Sequence, residues 1–66
     1  MPMTLSATDL AIAKADNEGT LAFFEDYDRF GDLFVMIKDR EGTIEVADSI
    51  AEARARVNAI RDRLDA

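Results

Sequence analysis

Leu33-Phe34-Val35-Met36-Ile37 is the stretch on which the fold turns. A short, partly β-branched apolar run of this kind is too brief for an independent helix and reads as a strand. Side chains alternate across a strand, so Leu33, Val35 and Ile37 lie on one face while Phe34 and Met36 lie on the other. In a sheet with one wet side, one of those sets is polar. Here both are apolar, and the strand calls for cover on both faces.

After this strand, Asp39-Arg40-Glu41-Gly42 has turn composition, with a glycine where a short bulged hairpin needs one. Thr43 to Ala47 then sets Ile44 and Val46 against Thr43 and Glu45, a return strand. Ser49 stands three positions before Glu52, the spacing of a capping box, and Ile50, Ala53, Val57, Ile60 and Leu64 follow in one helical stripe. The spacing predicts a C-terminal helix with acids at its positive end and Arg61 and Arg63 at its negative end. Upstream, Thr20 to Phe30 fits helical and strand spacing, and its aromatic density favours a strand ending near Gly31. Leu10-Ala11-Ile12-Ala13-Lys14 alternates large and small residues, so 9 to 15 is expected as a further strand before an Asp16-Asn17-Glu18-Gly19 turn; the alternative is a short helix capped by Ser6-Ala7-Thr8-Asp9. The expected fold class is α+β: one domain, residues 1–66, with a small antiparallel sheet of three or four strands and one C-terminal helix packed on one face.

One helical stripe covers one face, which leaves Phe34, Met36 and one of Phe23 or Phe24 to be shielded. At 66 residues the chain is small for a self-sufficient core, and it has neither cysteine nor histidine for a disulfide or zinc staple. A homodimer is the expected solution, by face packing, edge pairing or a domain swap exchanging a terminal strand or helix. Its expected contacts are Phe24, Phe34, Met36, Leu10 and Ile12. The competing arrangement is a monomer in which the first fifteen residues, with Met3, Leu5, Leu10 and Ile12, fold over the second face.

The helix is not expected to zip to its own copy. With Ile50, Val57 and Leu64 at heptad position a, both flanks carry arginine, Arg54 and Arg61 on one side and Arg56 and Arg63 on the other, so self-pairing opposes like charges. The net charge of −6 resides in residues 1 to 47, which hold ten acids and four bases; residues 48 to 66 hold four of each. An arginine-edged helix therefore suits an acidic sheet.

Without His or Cys there is no triad of the usual kind and no group with an ordinary pKa near 7. The acidic balance disfavours nucleic acid and anionic membrane. Asp26-Tyr27-Asp28-Arg29-Phe30-Gly31-Asp32 begins like a calcium loop, but Phe30 and Ile37 occupy two ligand positions, which makes it an aspartate-rich turn. Glu25, Asp26 and Asp28 are expected as solvated edge acids rather than an acid–base pair, and Phe23, Phe24, Phe30 and Phe34 as core aromatics rather than a base-stacking platform. No catalytic residue, cofactor or metal site is implied. The opening MPMTLSATDL lacks a basic n-region and a signal-length apolar run, so a cytoplasmic protein is expected.

Phe23-Phe24-Glu25-Asp26, Phe34 to Asp39, Glu41-Gly42-Thr43-Ile44 and Ser49 to Arg54 together resemble small bacterial strand-strand-strand-helix domains of the YegP type, over roughly the last two thirds of the chain. The resemblance implies a compact module that completes its core by tandem repetition or pairing, with no activity attached. The functional expectation is a homodimeric protein-interaction or regulatory module without catalysis, with a basic protein as a further partner. The alternative is a small-molecule or metal-responsive protein with its site at the dimer interface, among Phe34, Met36, Tyr27 and nearby acids.

Overall fold

The computed structural model describes residues 5–65. The elements run α1 (Ala7–Glu18), β1 (Ala22–Tyr27), β2 (Leu33–Lys38), β3 (Thr43–Ala47) and α2 (Ile50–Asp65). The strands form an antiparallel sheet in the order β1-β2-β3, with Phe24 opposite Met36 and Met36 opposite Val46. This is the α+β architecture expected, with β2 at its centre and the C-terminal helix on one face.

Both hairpin turns are closed by an aspartate carboxylate. The Asp28 carboxylate accepts the Phe30 and Asp32 N–H groups at 2.8 and 3.0 Å, where Gly31 at φ +81° takes a conformation that side-chain-bearing residues avoid. Asp39 does the same for Glu41 and Gly42 at 2.8 and 3.1 Å. At the start of α2, Ser49 Oγ accepts the Glu52 N–H at 3.1 Å, while the Glu52 carboxylate reaches back to the Asp48 N–H at 3.2 Å.

The expected strand over 9 to 15 is instead the body of α1. Alternation of large residues with alanine does not exclude a helix, since alanine is the strongest helix former. The ends decide it. Ser6 Oγ accepts the Asp9 N–H at 3.1 Å and the Asp9 carboxylate accepts the Ser6 N–H at 3.4 Å, while Gly19 closes the helix at φ +74° by donating to the Ala15 and Asp16 carbonyls.

Both helices pack on the same face of the sheet. Ile12 from α1 and Ala53, Val57 and Ile60 from α2 enclose Val35 and Ile37, with Leu21, Phe23, Ile44, Ala47 and Ile50 around them. Ile12, Val35 and Ile37 are completely buried. The described part of the N-terminal segment thus adds to the helical side and does not fold over the second face; Met3 lies outside the described residues. Ile12 is accordingly a core residue within its own chain.

Candidate functional site: an open sheet face and a projecting hairpin

Strand alternation and register fix what the uncovered face presents. Phe24, Met36 and Val46 form a row across all three strands, with Asp26 and Phe34 paired on one side of it and Ala22 and Lys38 on the other. Phe24 and Val46 are 52% and 53% exposed, and Phe34 and Met36 are half-buried by their neighbours alone. Lys38 leans over this face, its Nζ 5.2 Å from the centroid of the Phe24 ring. Of the five expected contact residues, Phe24, Phe34 and Met36 are therefore brought together. Leu10 is exposed but belongs to α1 on the other side of the sheet, and Ile12 is sealed inside.

The β1–β2 hairpin continues this surface beyond the helices. Every residue from Phe24 to Leu33 is exposed, including Tyr27 and Leu33, which alternate to the helical face and find no helix over them. The molecule measures 42 × 23 × 17 Å, and its radius of gyration of 12.5 Å exceeds the roughly 11 Å of a compact chain of this length. Phe30 at the tip is 76% exposed, with Arg29 stacked 4.9 Å from its centroid. The exposure of Tyr27 and Phe30 escaped sequence reasoning, which took Phe30 for core. The usable signal was the run of acids around them, Glu25, Asp26, Asp28 and Asp32, since a buried hairpin does not carry that many charges.

The opposite side holds the charged clasp between the helices. Arg56 bonds Asp9 through Nε and Nη2 at 3.2 and 2.9 Å and reaches Glu45 at 3.4 Å; Arg61 grips Asp16 at 2.7 and 2.6 Å. The Arg56 guanidinium holds the Asp9 carboxyl below its ordinary value against the opposing effect of partial burial, with Ser6 adding to the lowering. Arg61 does the same for Asp16, again against partial burial. A shallow cleft of about 350 Å³ lies nearby, floored by Leu21, Phe23 and Val57 and rimmed by Asp16, Arg54, Asn58 and Arg61. Its one carboxylate is held ionised by Arg61, which suits it poorly to proton transfer near neutral pH. Among the described residues no polar side chain is buried, and no three acids converge as ligands around a metal ion. In the calcium-like segment, Asp28 spends its carboxylate on the turn.

Among the described residues, no helix is long and apolar enough to cross a membrane. A scan against protein-family models and searches of curated proteins and solved structures for relatives of this chain each return no match.

Proposed function

We propose that this chain is a protein-interaction module of the cytoplasm, without catalytic chemistry of its own, that works by laying its open sheet face and projecting hairpin against another polypeptide. The observation that carries this reading is the row Phe24, Met36 and Val46, two of whose members are half exposed on a sheet otherwise supplied with two helices on its other side. Contiguous exposed apolar surface on a small domain marks a place of contact. Exposing it costs solubility, and single exposed residues elsewhere, such as Leu10 and Leu64, do not form such a row.

Site-specific photo-crosslinking in cells tests the reading. A benzophenone side chain at position 24 or 46 is expected to give a discrete adduct with another polypeptide, while the same group at Ala51 or Ala59, exposed on α2, gives none. Equal yields from all four positions, or no adduct from the sheet, would sink it. An adduct with the mass of two chains assigns the surface to the homodimer expected from the sequence.

A further inference from the structure

The charge distribution points to the partner that this surface takes. Residues 20 to 48, the sheet with its turns, carry eight acids and three bases, and so hold nearly the whole net charge of −6. Three arginines of α2 are matched within the chain: Arg56 by Asp9 and Glu45, Arg61 by Asp16, and Arg63 by Asp9 at 3.8 Å. Among the described residues, the hairpin acids Glu25, Asp26, Asp28 and Asp32 form no ion pair. The two cations on the hairpin, Arg29 and Lys38, lie over the Phe30 and Phe24 rings, so both exposed rings already accept a positive charge.

A second copy fits this surface badly. The face measures only about 14 by 20 Å, of order 300 Å², against roughly 800 Å² per partner in a stable dimer. The inner side of the same sheet displays a better fit. There α2 sets Ala53, Val57 and Ile60 on Val35 and Ile37, while Arg56 at its edge bonds Glu45 of β3. A helix about 10–12 Å across also suits the width of a three-stranded sheet, whereas an extended peptide would seek an edge rather than a face.

We propose that the open face of β1-β2-β3, continued along the β1–β2 hairpin, is the docking site for a basic amphipathic helix of another protein, its apolar stripe on Phe24, Phe34, Met36 and Val46 and its lysines or arginines toward Asp26 on that face and Asp28 and Asp32 at the hairpin end. Glu25, paired with Val35, lies on the helical side. This rests on the interaction-module reading and specifies its partner. The contact is of the small, transient class, and its on-rate depends on charge.

The test uses the full chain and a fluorescein-labelled helical peptide of leucine and lysine, as long as α2, with leucine at one-face spacing. Fluorescence anisotropy is expected to show saturable binding that weakens as sodium chloride is raised. A scrambled peptide of equal charge binds about tenfold more weakly or worse, as does the labelled helix to a Phe24→Ser/Val46→Ser variant. Amide chemical shifts are expected to move at residues 24, 34, 36 and 46. Far-UV circular dichroism checks that the variant is folded; if it is not, Phe24→Ser alone carries the comparison. Equal affinity for the scrambled peptide or for the folded variant, or shifts confined to α1 and α2, would overturn the proposal. A light-scattering mass of two chains that falls to one in the variant would give the surface to a second copy, overturning the helix while keeping the interaction surface. Absence of peptide binding together with absence of crosslinks from positions 24 and 46 ends both.

Discussion

Ile12 shows how much a single side chain carries in a core this small. It is completely buried on the inner side of α1, in one core cluster with Val35 and Ile37 of the central strand and Ala53, Val57 and Ile60 of α2. Truncating such a residue to alanine costs about 2–5 kcal/mol, and a domain of this size has about 3–5 kcal/mol in total. We therefore expect Ile12→Ala to be largely unfolded in water at room temperature, as read by urea titration followed by circular dichroism; a loss below about 1 kcal/mol would show that the site is less critical than its burial implies. Phe24 and Val46 are the converse. Large but half exposed, they contribute little to the fold of the isolated chain, and Phe24→Ser/Val46→Ser is expected to leave its stability within about 1 kcal/mol of the parent. A collapse of the variant's urea midpoint would mean that the row is structural rather than a contact surface.

The helices are joined to each other by charge as well as by apolar contact, which makes their union depend on pH in a definite direction. Asp9 and Asp16 both have carboxyls lowered from an ordinary value of 3.8 by their arginine partners. A group whose pKa is depressed on folding adds stability that is complete above the unfolded value and is lost as pH falls through the folded one. The clasp is thus expected to be fully present at neutral pH and to loosen only in strong acid, below 3.8. Urea midpoints measured down that range should fall more steeply for the parent than for Asp9→Asn/Asp16→Asn; parallel curves would refute the clasp. Much of this level was legible in the sequence. Ser49 with Glu52 marked α2, and the central apolar run with the Asp39 to Gly42 turn marked β2 and β3. The first helix was obscured because Leu10-Ala11-Ile12-Ala13 satisfies a period of two as readily as a helix. Only the reciprocal Ser6–Asp9 bonds and the left-handed Gly19 settle it. The side of the sheet that α1 takes depends on partners such as Asp9 and Arg56, 47 positions apart, which no local pattern records.

At the scale of the whole molecule, two helices on one side and none on the other make the domain strongly two-faced. Sequence reasoning located the uncovered apolar set on Phe34 and Met36, because alternation along β2 required it. It did not anticipate that the hairpin would run past the helices, since the exposure of Tyr27 and Phe30 depends on where α1 and α2 end. One more property follows from the clasp. Arg63 near the end of α2 lies 3.8 Å from Asp9 at the start of α1, so the first and last helical turns meet on the side away from the open sheet. The fold is therefore nearly a closed ring in connectivity. A circular permutant that joins the two helix ends through a short glycine-serine bridge, and is cut between Arg29 and Phe30 at the exposed hairpin tip, is expected to keep a parental circular dichroism spectrum and cooperative melting. Polypeptide attached beyond the first turn of α1 or the last turn of α2 would likewise depart from the side away from the open sheet face.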